Sequence, residues 1–545
     1  MTRRWAVGGG GGGGGTAGTG ELLRFALRRD RIMLPVWLYA LVGSTGATAA
    51  SIGKLYPTTA SRVSLAQSIN SNGSLRALYG PVYDATSNGA LTAWRMLPYG
   101  GLMLGLLCIL LVVRHTRAEE ESGRLELIGA GAVGRGAPLA AGLGTAVIAS
   151  ALVGVLTAAV LAATGQPLGG SLAFGGALFG CGVCFAGVGA MAAQLSGTSR
   201  AANGIGGALL GLAFLLRACG DAAGSTGPGW LLWLSPLGWA ERVRPYADDA
   251  WWLVALLVVA GAVQIAVGYL LAGRRDLGAG LLPQRPGPAS AEPSLRGATG
   301  LAWRLQRGGL LGWAVGFAVG GSMLGGITEG VKQLISSSSN VEQIMERMGG
   351  SSGMVDAYLA TAMNLLAMVA AVYAVQTALR LRGEETSGRA EPVLATGVSR
   401  LGWAGSHLLY PLLGSAVLLL VGGITAGLGT GVVLGDAAGW TGKLLVAALI
   451  QLPAVWIFAA VTVALFGLLP QWSTAAWGVL GVLLFIAYLG PAVNAGQWLL
   501  DLSPFTHVPK LPGSAFQAQP LLWMVLLSVL LAGSGLAGWR RRDVR

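Results

Sequence analysis

The sequence predicts an all-α membrane protein of about twelve transmembrane helices, arranged as two parallel six-helix repeats. Composition, the recurrence of apolar stretches of spanning length, and a charged segment that occurs twice all lead there. Of 545 residues, 53% are hydrophobic and 11% charged, with a mean hydropathy of +0.64, against roughly 25% charged residues in an ordinary soluble domain. A hydrocarbon core of about 30 Å takes about 20 helical residues to cross. Stretches of that kind fall at 32–53, 91–113, 138–164, 171–195, 203–221 and 251–272, and again at 308–327, 357–379, 403–430, 443–469, 473–491 and 520–538.

The charged segment follows the second span of each half. Residues 117–135 read RAEEESGRLELIGAGAVGR and residues 382–400 read RGEETSGRAEPVLATGVSR, aligned without a gap at an offset of 387 − 122 = 265. Arg117, Glu119, Glu120, Ser122, Gly123, Arg124, Glu126, Ala130, Val133 and Arg135 recur as Arg382, Glu384, Glu385, Ser387, Gly388, Arg389, Glu391, Ala395, Val398 and Arg400. A chain with so few charges that repeats a dense cluster of them is expected to present one docking surface twice. The physical form expected is a short helix between two spans, acidic near its start and basic later as the helix dipole favours, with Gly123 and Gly388 allowing a sharp bend.

The ends of the halves correspond as well. LSPLGWAERVRP, an apolar span and GRRDLGAGLLP close the first, while LSPFTHVPKLP, an apolar span and WRRRDVR close the second, matching Ser235-Pro236 to Ser503-Pro504 and Arg275-Asp276 to Arg542-Asp543. The organisation is therefore a Gly-rich disordered tail over 1–20, a first repeat over 21–276, a linker over 277–300 carrying Pro283, Pro286, Pro288 and Pro293, and a second repeat over 301–545. The linker returns the chain to the same side, so the repeats are parallel, related by an axis along the membrane normal. Lead-in segments Glu21–Arg31 and Leu301–Arg307 mix basic and apolar residues, as interfacial helices do. Most Lys and Arg fall on the side of both termini and both repeated segments, which the positive-inside rule places in the cytoplasm of a multi-pass plasma-membrane protein.

Other chemistry is excluded on particular residues. The net charge of +13 is this loop bias, and without a basic stripe interleaved with aromatics no nucleic-acid partner is expected. Cys181 and Cys184 form a C-x-x-C inside an apolar helix, without ligating histidines, and read as small core residues alongside Cys108 and Cys219. No signal peptide is read at the N-terminus, and Gly8–Gly15 has neither a preceding strand nor a Gly-Lys-Ser/Thr. The paired glutamates lack a nucleophile or consistent histidine ligands, because His115 corresponds to Arg380, so catalysis and metal binding are not expected.

The pattern Arg-x-Glu-Glu-x-x-Gly-Arg-x-Glu after the second span, closed by Arg135 or Arg400, resembles the coupling helix of ABC-2 type exporter permeases. With the duplication, the Ser-Pro-Leu-Gly-Trp segment and Arg-Arg-Asp-x-Gly-Ala-Gly-Leu after span six, the chain is similar to the actinobacterial tetronasin-resistance or polyketide-antibiotic exporters. The resemblance implies two ABC-2 (type V exporter-like) repeats, with the lead-in segments as elbow helices. Glu119, Glu120, Gly123, Arg124, Glu126 and Arg135, and Glu384, Glu385, Gly388, Arg389, Glu391 and Arg400, would each dock on one of two copies of a cytoplasmic ABC ATPase. The Ser-Pro segments would be small re-entrant elements. Pro392, where the first copy has Leu127, is expected to bend the second copy differently. The nearest Walker A approach, Gly442-Lys443, is followed by Leu444 and has Ala437 at the first glycine position, so ATP and Mg are expected in the partner and no cofactor in this chain.

By the same resemblance the substrate path lies between spans two and five of both halves, where Arg95, Arg217, Asn364 and Gln376 are the polar residues, although Asp221, four residues from Arg217, could simply pair with it. An intramembrane arginine costs about 2.5–3.5 kcal/mol on insertion scales. The Gly, Ala, Leu and aromatic lining suits a hydrophobic or amphipathic cargo such as a polyketide antibiotic, with lipid or peptide as alternatives. A gradient-driven secondary transporter would place acids at mid-membrane, where this sequence has almost none. A sensor or assembly factor would be expected to carry a soluble domain.

Overall fold

The structure is a computed structural model that describes residues 14–129, 133–224, 228–276, 278–282, 289–290, 292, 295, 297–336, 352–489 and 496–543. The chain divides into two compact units, Met1–Gly287 and Pro288–Arg545, each with its own core. Among the described residues there are helices and no strands, and twelve helices are long and apolar enough to cross a membrane. This is a multi-pass membrane protein. The first thirteen residues of the expected glycine tail and residues 277, 283–288, 291, 293–294 and 296 of the expected linker lie outside the described residues; Gly14–Thr16 forms a 3-10 turn.

In the first unit α1 (Thr19–Arg29) is a short amphipathic helix that ends at Asp30, and the first span, α2, follows at Met33–Leu55. Asp30 is fully buried, with its carboxylate 2.6 Å from His115 Nε2 and 3.2 Å from Arg114 Nη2. That anchor turns the chain. Two helices the sequence reading did not anticipate, α3 (Thr59–Ser71) and α4 (Gly73–Tyr79), are started by the side-chain caps Thr58 and Asn72. Then come α5 (Asn88–His115), α6 (Arg117–Glu121), α7 (Arg124–Gly129), α8 (Ala137–Ala163), α9 (Leu168–Leu195), α10 (Ser199–Ala222), α11 (Pro236–Glu241) and α12 (Trp251–Gly273).

The fourth span, α9, is the hub, packed against α5, α8, α10 and α12. Small residues make this possible. A Cβ on Gly154 would stand 2.6 Å from the Gly175 carbonyl oxygen, so α8 and α9 meet backbone to backbone, as helices do where dispersion rather than water drives association.

The second unit follows the same order with departures. Its first span is the continuous helix α13 (Ala298–Ser336), so the separate lead-in helix expected at Leu301–Arg307 is instead the start of that span. No acidic residue between Ala298 and Glu329 could anchor a turn as Asp30 does. Next come α14 (Ser352–Ala378), α15 (Arg380–Thr386), α16 (Ala390–Leu394) and α17 (Arg400–Leu434). The fourth span is broken at Gln451 into α18 (Ala437–Leu449) and α19 (Leu452–Leu468), where Pro453 opens the new helix without losing an intrahelical bond. A 3-10 turn at Pro470–Ala475 leads into α20 (Ala476–Leu489), and α21 (Gln497–Leu500) and α22 (Ala518–Arg541) complete the unit.

Candidate functional site

Both copies of the repeated segment fold as two short helices separated by a glycine bend. Gly123 has φ +72° and Gly388 φ +70°, the left-handed region that costs other L-residues roughly 1–2 kcal/mol. Pro392 does not change the bend, because it lies in the first turn of α16, where its missing N–H has no intrahelical partner.

The bend folds the glutamates inward. Glu120 accepts from Arg117, three residues before it, and is gripped by both nitrogens of Arg275 beyond the sixth span, at 2.5 and 2.8 Å. Glu385 accepts from Arg382 at 3.0 Å and from both nitrogens of Arg542, again beyond the sixth span, at 2.6 and 2.9 Å. The circuit closes in the same way twice: Arg135 donates to the Arg275 carbonyl at 2.6 Å, and Arg400 to the Arg542 carbonyl at 2.5 Å. Bidentate arginine–carboxylate pairs are directional as well as strong. Each therefore ties the bend, the start of the third span and the end of the sixth into one piece.

Glu119 and Glu384 each face the arginine five residues on, Glu119 as an ion pair with Arg124 at 3.6 Å and Glu384 accepting a hydrogen bond from Arg389 at 2.9 Å. The first copy has two further ties. Glu119 pairs with Arg29 of α1, and Glu121 accepts from the Ser199 amide and hydroxyl at 2.9 and 2.6 Å, at the start of α10. In the second copy Thr386 stands where the first has Glu121, and its hydroxyl donates to the Arg382 carbonyl of its own helix at 2.9 Å. Arg275 is held further by Gln194, and Arg542 lies over Phe466 and Trp539 at 5.0 and 4.6 Å from their ring centres.

Glu119, Glu120, Glu384 and Glu385 are thus turned into the protein, whereas Arg124, Glu126 and Arg135 in one copy and Arg389 and Glu391 in the other are exposed, with Arg400 half-buried. Arg275 and Arg542, marked in the sequence by the repeated Arg-Asp after each sixth span, were assigned no place in the site from it, nor were Arg29 and Ser199.

Two comparisons with known proteins bear on this arrangement. The family described as "Multidrug efflux system permease Rv1217c, C-terminal domain" matches residues 20–271 and 295–540, one segment in each unit. The multidrug efflux system permease protein Rv1217c of Mycobacterium tuberculosis (strain ATCC 25618 / H37Rv) is 44% identical over 529 residues, covering 97% of this chain and 95% of that protein. The chain belongs to this family. Membership holds at the level of multidrug efflux permeases, coarser than the tetronasin-resistance branch, and makes the chain a membrane transport subunit.

In this family member the four polar residues assigned to a path are not equivalent. Arg95 is exposed on α5, Gln376 is exposed on α14 and accepts from Trp313 at 3.2 Å, and Asn364 donates to the Phe505 carbonyl at 3.3 Å. Arg217 is fully buried and committed. It contacts Asp221 at 3.4 Å, as four-residue spacing allows, Glu241 at 3.1 Å, and the carbonyls of Ala77 and Leu78. The Ser-Pro segments begin short turns: Ser235 caps α11 and donates to the Ala213 carbonyl, and Ser503 precedes a 3-10 turn at Pro504–Thr506.

Proposed function

We propose that this chain is the membrane-spanning permease of an ATP-binding cassette exporter that moves hydrophobic or amphipathic compounds out of the cell, driven by two copies of a separate cytoplasmic ATPase. The observation that carries the reading is the twice-built clamp. A charged bend between spans, locked by its own buried carboxylate to the end of the sixth span, converts a push on the bend into movement of the spans attached to it. The exposed Arg124, Glu126, Arg389 and Glu391 are the residues assigned to the ATPase surface, and Glu120 and Glu385 to transmission. Both termini and both bends are then cytoplasmic, in keeping with the positive-inside bias. Polyketide antibiotics of the tetronasin kind are the cargo class put forward, and the name of the mycobacterial relative, a multidrug efflux system permease, supports an exporter. Arg95 and Gln376 are the polar groups proposed to meet cargo.

Co-purification from the native membrane in mild detergent tests this. Recovery of two ATPase copies per chain, lost on charge reversal at Arg124 and Arg389, is the expected result. Recovery of the chain alone, with export persisting when ATP is exhausted, would overturn it.

A further inference from the structure

The first unit contains a buried charge cluster that the transport reading does not use. Arg217, Asp221 and Glu241 are 0%, 5% and 6% exposed, and they lie at the far end of α10 from the Glu121–Ser199 tie. The two carboxylates converge on one nitrogen, Arg217 Nη1, at 3.4 and 3.1 Å. The second arginine nitrogen is spent on the final carbonyls of α4, Ala77 at 2.7 Å and Leu78 at 3.1 Å. One fixed positive charge thus faces two acids, and Glu241 Oε1 is buried without a hydrogen-bond partner.

Other nearby cations form no ion pair with either carboxylate, although the charge of Arg242 still acts on Glu241. Arg76 of α4 donates to the carbonyls of Asn70, Asp221 and Ala222. Arg242 lies over Trp233, and Arg244 over Tyr83 while it pairs with Asp248. Asp84, in the loop after α4, accepts from Thr86. The remaining titratable groups on the elements packed around the cluster are Tyr79 of α4, Tyr83, Arg95 and Tyr99 of α5 and Cys181 of α9.

Like charges this close do not both ionise comfortably away from water, and the usual resolution is one shared proton. Burial pushes the Glu241 carboxyl above its ordinary range, with Arg217 opposing. A cavity of about 20 Å³, room for about one water, adjoins Glu241, and a wider cleft of about 430 Å³ reaches Asp221. The cluster therefore has a route for exchange.

We propose that Asp221 and Glu241 form a proton-binding pair, which holds one exchangeable proton beside Arg217 and with it the junction of α4, α10 and α11. The proton supplies the donor that Glu241 and Asp221 lack between them. Its loss leaves two anions bonded to one guanidinium and loosens the junction. Among the described residues the second unit has no counterpart of this pair, since the Ser-Pro register sets Pro509 where the first has Glu241. The property belongs to one half.

The test uses the full chain in detergent. Infrared spectra at pH 7 are expected to show a protonated-carboxyl band that Glu241→Gln removes. Glu241 keeps its proton when folded at pH values where an unfolded chain has lost it. Stability is therefore greatest below the ordinary glutamate value of about 4.3 and falls as pH rises toward the folded value. The wild-type unfolding midpoint should fall over that range, and the Glu241→Gln midpoint should lose that fall. Should Glu241→Gln fail to fold, Asp221→Asn serves, since it leaves a single acid beside Arg217 and should also remove the band. Absence of the band in the wild type with a pH-independent midpoint would overturn the proposal. So would a midpoint raised by sodium but not by choline at equal ionic strength, which would make a metal cation the occupant. Neither readout involves an ATPase, so a negative result leaves the exporter reading standing.

Discussion

Glu120 and Glu385 each sit between two guanidinium groups, one from their own short helix and one from the far end of the repeat. Removing one partner from such a buried pair strands the other, at a cost of about 3–5 kcal/mol. Replacing both removes one of the two stranded charges, leaving Arg117 as the buried guanidinium without its carboxylate. Glu120→Gln and Arg275→Met are thus expected to lower the unfolding midpoint markedly as single variants and by clearly less than their sum together. A double-mutant cycle followed by thermal unfolding in detergent measures the coupling, and strict additivity would remove the clamp as a structural unit. At this scale the sequence was only partly legible. The i,i+4 spacing of Arg217 and Asp221 foretold their contact. By contrast, Glu241 lies outside every predicted span, and Arg275 is 155 residues from Glu120. Neither partner leaves a local pattern; only the twice-occurring Arg-Asp pointed at the second.

The short helices depend on their bend. Gly123 and Gly388 have open space where a Cβ would stand, so a substitution there is opposed by backbone conformation rather than by collision. Gly123→Ala and Gly388→Ala should each destabilise by about 1–2 kcal/mol, and Asn, which tolerates the left-handed region better, should cost less. Thermal midpoints of the four variants check the order, and equal losses for Ala and Asn would count against a conformational cause. The spans themselves were readable because an apolar run of about 20 residues with few charges matches the thickness of a bilayer and little else in a folded chain. Breaks within them were not. Asp30 ends α1 because its carboxylate finds His115 and Arg114, a contact between distant residues, while Leu301–Arg307, similar in composition, runs on into a single helix. The helices α3 and α4 are too short and polar to register in hydropathy and are marked only by their caps.

Across the whole molecule the two halves share one clamp but not one set of ties. Two parallel repeats were legible because the charged segment and the closing Arg-Asp recur in the same order, yet repetition in sequence conceals what each copy touches. The first bend is held to the sixth-span end by Arg275, to α1 through Arg29 and to α10 through Ser199. Among the described residues, of these three polar ties the second bend shows that to its sixth-span end, through Arg542; its lead-in is continuous with the first span, and Thr386 replaces the glutamate that would reach the fifth. A bend with three ties keeps its position when one is cut. One held by a single ion pair of this kind, beside its apolar packing on Trp403, Phe466 and Trp539, shifts more readily when that pair is cut. Glu385→Gln is therefore expected to reduce export severalfold more than Glu120→Gln when both variants are present in the membrane at equal amounts. Adding Arg29→Met and Glu121→Thr to Glu120→Gln should bring the first half down to the level of the second. Transport of a fluorescent amphipathic compound from cells expressing each variant makes the comparison. Equal losses for Glu120→Gln and Glu385→Gln, unchanged by cutting the extra ties, would show that the additional contacts of the first half carry no mechanical load.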